Sequence, residues 1–369
     1  MGGDLMDPVT LALAKKASAS TSVSIYTVIA AVPVHYARDV KWGPKSSVRT
    51  SLTSPARLTV NIGNNGYMLS QAIDIDITAA GSWDSIETDY TQAANRAGKD
   101  FYIYACQPVS GTEPVFAISA NSTVPTGYTA DNSRKIGGFH CLCVSVGTIS
   151  GHTLTGYVAG DILPASVWDL LHRPVSSPEG MVYDSGTDRW VDIYLASVSS
   201  GNLVSVNRAV IADGVSSPAF HWYKGSQWMA RIKKRLLTQH EFVSASLGAN
   251  QGTNIAGYAD PNTTTGHTDT AGRRMISNIG CEDICGVLWQ WGAEAGGPHD
   301  ASVFLNAYNS YDADVAGQHY NAPNRAIFGG YWDRGPTSGS RGSSWDAYPL
   351  LMNAHRGLRG CAEPLRGVI

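Results

Sequence analysis

The sequence predicts an all-β sandwich over 56–150 and a mixed α+β domain over 151–369, behind a small N-terminal attachment or oligomerisation segment over 1–55. Three observations predict it. Apolar residues make up 43% of 369, enough to fill a core in each of two or three domains of roughly 150 residues. Apolar and polar residues alternate with period two at Leu58-Val60-Ile62 and Ile73-Ile75-Ile77, the signature of half-buried strands. The clearest helix start in the chain, Thr238-Gln239-His240-Glu241, falls far downstream of that alternation.

Taken in order, Asp7-Pro8 ahead of Val9, Leu11 and Leu13 reads as an N-capped short helix with proline in its first turn. A Ser/Ala/Thr tract over Ala17 to Ser24 follows, then candidate strands at Val28-Ile29 and Val32-Pro33-Val34. Leu58-Val60-Ile62 and Ile73-Ile75-Ile77 suggest a hairpin, with Asn64-Asn65-Gly66 supplying turn chemistry between them. Phe101 to Ala105 and Val115 to Ile118 suggest a second hairpin, and the sandwich is expected to end near Val146. Pro164 to His172 is expected to be a helix stopped at Arg173-Pro174. Thr238 and Glu241 form a capping box, with Gly248 as the stop. Val287 to Gly292 reads as a buried strand, and Ile327-Phe328 as another.

Composition narrows the function. Charged residues are 15%, against roughly 25% in an ordinary soluble domain, and the formal net charge is −3. A nucleic-acid partner bound through phosphate neutralisation needs a basic excess, so none is expected. The Val28 to Val34 run is broken by Pro33 and far shorter than a membrane span, so no membrane insertion is expected. Met1-Gly2-Gly3-Asp4 lacks the basic and apolar regions of a secretory signal, so export by that route is not expected. The 10 Trp, 17 Tyr and 39 Gly suit a loop-rich chain that meets partners through aromatic rings. Six cysteines are too few for a disulfide scaffold in a chain this long and read as buried, reduced side chains.

No constellation calls for a metal, a cofactor or a catalytic residue. His140-Cys141-x-Cys143 and Cys281-x-x-x-Cys285 miss the paired spacing of structural zinc sites. His240-Glu241 lacks the second histidine of a zinc protease and reads as helix surface. Lys233-Lys234-Arg235 reads as a solvated turn, and Asp300, Asp312 and Asp314 as acids in polar loops rather than a glycosidase pair. The informative pattern is C-terminal, where Trp332, Trp345, Met352 and Ala354 interleave with polar neighbours of unrelated chemistry. In a strand such neighbours point to opposite faces, so these four are expected to anchor inward while the others share one chemically mixed surface. A plain half-buried sheet gives the same alternation.

Several segments together resemble a known family. They are Arg134 to His140, Val167-Trp168-Asp169 with Arg173-Pro174, Leu288-Trp289-Gln290-Trp291-Gly292 with Glu294, Phe328-Gly329-Gly330, Gly339-Ser340-Arg341 and Arg359-Gly360. In order and spacing, from about Asp100 to the C-terminus, they are similar to the major tropism determinants of bacteriophages, the variable proteins of diversity-generating retroelements. The resemblance implies a C-type lectin-like fold of the formylglycine-generating type for the C-terminal domain. It also implies a homotrimer at the tail-fibre tip of the virion, joined to other tail-fibre proteins and binding a host cell-surface receptor, taken to be a protein. Carried over on the gapless stretch from Phe328 to Arg359, the family's variable, ligand-binding positions fall at Tyr331, Asp333, Arg334, Gly335, Thr337, Ser344, Asp346, Ala347, Leu351, Asn353, His355 and Arg356. In that family a reverse transcriptase errs at template adenines. Replacing the first two bases of an AAY codon never yields Trp, Met, Gln, Lys or Glu, and none of these positions holds one. Asn306 to Asn324 is a candidate further variable segment.

The chain departs from other relatives of the fold. Oxidases of the formylglycine-generating type need a redox-active cysteine pair, and the terminal region offers only Cys361. The ligand triplets of calcium-dependent sugar lectins are missing. The expected function is therefore non-enzymatic receptor binding. Two alternatives stand beside it: a cellular surface protein diversified by a retroelement, and an enzyme of the formylglycine-generating or glycan-hydrolase type.

Overall fold

The computed structural model describes residues 34–35, 42–45, 48–84, 88–298, 304–306, 318–320 and 323–366. The helix expected at Asp7, the Ser/Ala/Thr tract, the strand expected at Val28, the acids Asp300, Asp312 and Asp314, and most of 306–324 lie outside these residues.

The first core gathers three antiparallel sheets. Thr59–Ile62 and Asn65–Met68 pair as a tight hairpin, with Val34–His35 on the outer edge of Thr59–Ile62. Gly63 makes the turn at φ +56°, and a Cβ there would sit 2.6 Å from the Asp131 carbonyl oxygen, so both backbone and space require glycine. This corrects the expected pairing. The strand Asp74–Asp76 pairs with Ser51–Thr53 in a separate sheet, because Thr59–Ile62 already has its partner two residues away. The second hairpin matches expectation, Asp100–Cys106 pairing with Val115–Ser119, and Ser133–His140 adds to the other edge. Inward residues Leu58, Val60, Ile62, Ile75, Phe101, Ile103, Ile118 and Ile136 bury together with Trp42, Leu52, Ile162 and Val167.

The helix expected over 164–172 is not formed. Pro164–Ser166 is a single 3₁₀ turn, and Trp168–Asp169 is a short strand paired with Gly137 and Gly138. The cause is local. The fully buried Asp169 carboxylate accepts the backbone N–H groups of Leu171 and His172 at 2.8 and 2.9 Å, an alternative that competes with helical bonding. The two glycines let the strand approach, since a Cβ on Gly137 would meet the Trp168 carbonyl oxygen at 2.6 Å and one on Gly138 the Trp168 ring at 2.7 Å.

Downstream, Met181–Asp184, Arg189–Asp192, Gly360–Ala362 and Arg235–Leu236 form one sheet in that order. A second sheet runs Ser343–Ala347, Pro323–Phe328, Trp289–Pro298 and Arg356–Gly357, the last pair parallel. Two helices, Trp222–Arg231 and Gln239–Ala245, accompany these sheets. The capping box is present: the Thr238 N–H donates to Glu241 Oε2 at 2.9 Å, while the Glu241 N–H donates to Thr238 Oγ1 at 3.4 Å.

Glu241 is nevertheless not helix surface. It is buried, and Arg189 Nε and Arg235 Nη1 donate to its carboxylate at 3.0 and 2.7 Å. Burial alone would raise this carboxyl, but Arg235 and the Thr238 N–H hold it down at about 2. The basic run is likewise not a solvated turn, for Lys234 is buried with its Nζ 2.6 Å from the buried Asp192 carboxylate. Lys234 directly precedes the strand Arg235–Leu236 and Glu241 lies in the helix just after it, and each finds its partner on a strand of that sheet.

Candidate functional site

The Trp289–Pro298 strand is the axis of the site. Its first residues pair in parallel with Arg356 and Gly357 on one side and antiparallel with Ile327 and Phe328 on the other. Three residues after Arg356, Arg359 is fully buried and pins the frame. Its guanidinium donates to Gln290 Oε1 at 2.8 Å, to the carbonyls of Asp192 and Ile193 at 2.7 and 2.6 Å, and to the carbonyl of Glu282 at 2.7 Å. Gln290 in turn donates to the Ile284 carbonyl at 2.7 Å. One side chain thus ties together segments that are remote in sequence.

Beside this frame opens a depression of about 530 Å³. Seven of the residues expected at the variable surface line it: Tyr331, Arg334, Thr337, Ser344, Asn353, His355 and Arg356. The rings of Tyr331 and His355 stack at 4.6 Å and 25°, and Trp332 stands edge-on to both at 5.4 and 4.8 Å. Arg334 Nε donates to the Tyr331 hydroxyl at 3.2 Å. The His355 N–H donates to Asn353 Oδ1 at 3.1 Å, the Gly214 N–H to the Asn353 carbonyl at 3.2 Å, and the Trp289 N–H to the His355 carbonyl at 2.9 Å. Main-chain bonds to Gly214 and Trp289 thus tie the loop to the frame, while the side-chain bonds run among the loop residues themselves. Burial and the neighbouring Arg356 lower the His355 imidazole from its ordinary value. Burial also works against the charge of Arg356, whose guanidinium lies 5.7 Å from the Trp291 ring centroid.

Asp333, Asp346 and Leu351 are exposed but do not line the depression. Gly335 and Ala347 contradict the expected surface. Ala347 is 2% exposed and packs with Trp291, Ile327 and Leu358, since it pairs with Arg325 in the sheet and turns its methyl inward. Gly335 is buried, and a Cβ on it would lie 2.7 Å from Asn254 Oδ1. Trp345 is a further correction. Expected to anchor inward, it is 37% exposed, its Nε1 donating to Ser343 Oγ at 3.2 Å. The register explains it: between Ile327↔Ser344 and Arg325↔Ala347 the Ser343–Ala347 strand carries one residue more than its partner. That bulge breaks the alternation, so Trp345 and Asp346 are both exposed. Trp332, Met352 and Ala354 are half-buried.

Trp289, Ile327 and Ser343 also line the depression and were not singled out by sequence. Trp289 belongs to a run that reads as wholly buried, and only its position at the parallel edge with Arg356 leaves it half open. Among the residues lining the depression none is a carboxylate or a thiol. All six cysteines are buried and free, and burial pushes Cys106, Cys281, Cys285 and Cys361 up to about 12.

Comparison with known proteins places this geometry. The family model of the Mtd second domain matches residues 48–169. The tail fiber receptor-binding protein of Bordetella phage BPP-1 is 32% identical over 300 residues, spanning 76% of this chain and 74% of the relative. This chain belongs to the major tropism determinant family. Solved structures of the Major Tropism Determinant U1 and I1 variants superimpose with TM-scores of 0.72 and 0.70 at 27% and 28% identity. They cover 90% and 89% of this chain and 86% and 84% of theirs. As a major tropism determinant the chain has a β-rich domain followed by an α+β domain of C-type lectin-like fold. The relatives carry names of receptor-binding and tropism proteins, not of enzymes.

Proposed function

We propose that this chain is a phage tail-fibre receptor-binding protein that presents exchangeable side chains around the Tyr331–Arg356 depression to a receptor on the host cell. One observation carries the reading: seven residues separated by up to 25 positions in sequence converge on one open depression beside a pinned frame. Main-chain groups tie the loop to the frame at Gly214 and Trp289, and the side chains bond only within the variable set, so substitution there leaves the frame intact. The ligand-facing set is the expected one less Gly335 and Ala347, whose burial makes them part of the frame, with Asp333, Asp346 and Leu351 on its exposed surroundings. The proposed organisation is an attachment segment over 1–55, a sandwich over 56–150 and a variable lectin-like domain over 151–369. Set in a homotrimer with other fibre proteins at the tail-fibre tip, and diversified by a retroelement, each copy offers a modest patch. Repetition on the virion then raises a weak contact by about 10² to 10⁴ through effective concentration.

The test replaces Tyr331, Arg334, Ser344 and Asn353 together and follows the melting temperature and the adsorption of particles to host cells. Adsorption lost or redirected with melting unchanged supports the reading. Unchanged adsorption, or loss of the fold, refutes it.

A further inference from the structure

The depression has a chemical bias of its own. Arg356 is half-buried, yet among the described residues its guanidinium has no hydrogen-bond or ion-pair partner, and its Nε is an orphaned buried atom. Such a group has lost part of its hydration without a replacement, and the balance is restored by an acceptor arriving from outside. The surrounding atoms favour the same kind of visitor. Asn353 spends its Oδ1 on the His355 N–H, which can only donate, so the amide orientation is fixed and the NH₂ is left over. Ser343 Oγ accepts from Trp345 Nε1, leaving its own O–H to donate. The Tyr331 oxygen accepts from Arg334, and the Ser344 hydroxyl is committed to Asp346. The lining thus brings two guanidinium groups and no carboxylate, with donors left over and few acceptors.

Resting on the receptor-binding reading above, we propose that this chain recognises a carboxylate of an acidic side chain on a protein receptor. Arg356 is its bidentate partner, Asn353 and Ser343 are further donors, and the stacked Tyr331–His355 rings with Trp289 form an apolar rim. Sugars fit less well. Each sugar hydroxyl brings a donor that needs an acceptor, and the lining offers for these only neutral hydroxyl and amide oxygens and one His355 ring nitrogen, with no carboxylate among them. The aromatic rim instead suits the apolar stem and neighbours of an Asp or Glu side chain.

The experiment pans the full-length chain against a random dodecapeptide library, in parallel with an array of neutral and uronic-acid oligosaccharides. Peptides enriched by the wild type are expected to share an Asp or Glu beside an aromatic or aliphatic residue. Exchanging that acid for its amide, or Arg356→Gln in the protein, should weaken binding about tenfold or more, with Arg356→Lys between, and rising salt should weaken the wild type alone. Melting temperature and binding of Tyr331→Ala are followed beside them. If selected peptides lose binding to Y331A but hold equally to R356Q, the depression is a receptor site without an anion subsite, and only this inference falls. If neither substitution matters, the receptor-binding reading falls too. Enrichment of neutral or basic peptides, no enrichment at all, or preferential capture of uronic-acid sugars overturns the acidic-protein assignment.

Discussion

Arg356 and Arg359 lie three residues apart and have opposite surroundings. Arg359 is fully buried and every nitrogen of its guanidinium donates to an acceptor, three of them main-chain carbonyls. Arg356 is half-buried beside an open depression with no acceptor among the described residues. Both are long cations and nothing in their local sequence tells them apart. The difference is whether the fold supplies the acceptors, and it separates a residue that holds the platform from one that faces outward.

That contrast can be broken by substitution. Arg359→Met strands three buried carbonyls and Gln290, and Trp291→Ala empties the adjoining core; each should cost about 3 to 5 kcal/mol and abolish binding only because the fold is lost. Thermal or urea unfolding checks both, and an Arg359→Met protein that melts like the wild type would refute the pinning role. Next comes Ala347→Tyr, which forces a ring between Trp291 and Leu358 and should cost about 1 to 3 kcal/mol, although its position belongs to the family's variable set. A variant as stable as the wild type there would return Ala347 to the exchangeable surface.

Glu241 sharpens the comparison by pH. Its folded value of about 2 lies below the ordinary 4.5, so its contribution is fully present above about pH 4.5 and is lost as pH falls toward 2. Glu241→Gln should remove on the order of 1 to 2 kcal/mol at neutral pH, after allowance for solvent screening, and little at pH 2. Equal losses at both pH values would show that the pairing with Arg189 and Arg235 is not what lowers its pKa. The smallest effect belongs to the open face. Thr337→Ala and Leu351→Ser should each shift stability by less than about 0.5 kcal/mol, seen as an unmoved melting transition.

Much of this was legible in the sequence where the signal is local. The Thr238–Glu241 box and the Asp100–Cys106 hairpin follow from residues within a few positions of each other. Some failures were local, the Asp169 side chain breaking the helix expected at Pro164 and the tight turn at Gly63 pre-empting the longer hairpin; the others were non-local or rested on a single inserted residue. Glu241 and Lys234 look solvated until a strand brings Arg235 and Asp192 beside them. The Trp222–Arg231 helix is entered through His221, whose ring accepts the Lys224 N–H, not through a serine or aspartate. In the site, strand alternation misplaced Trp345, because one extra residue in its strand shifts everything beyond it, and the family resemblance that supplied the variable positions could not see that Ala347 lies opposite Arg325.

The six protonated thiols set a condition on where such a molecule can be made and used. With no covalent cross-link among them, the chain needs no oxidising compartment to mature, and a reductant such as dithiothreitol has no bond in it to break. Its grip on a target should survive passage between the reducing interior of one bacterium and the aerated medium around the next.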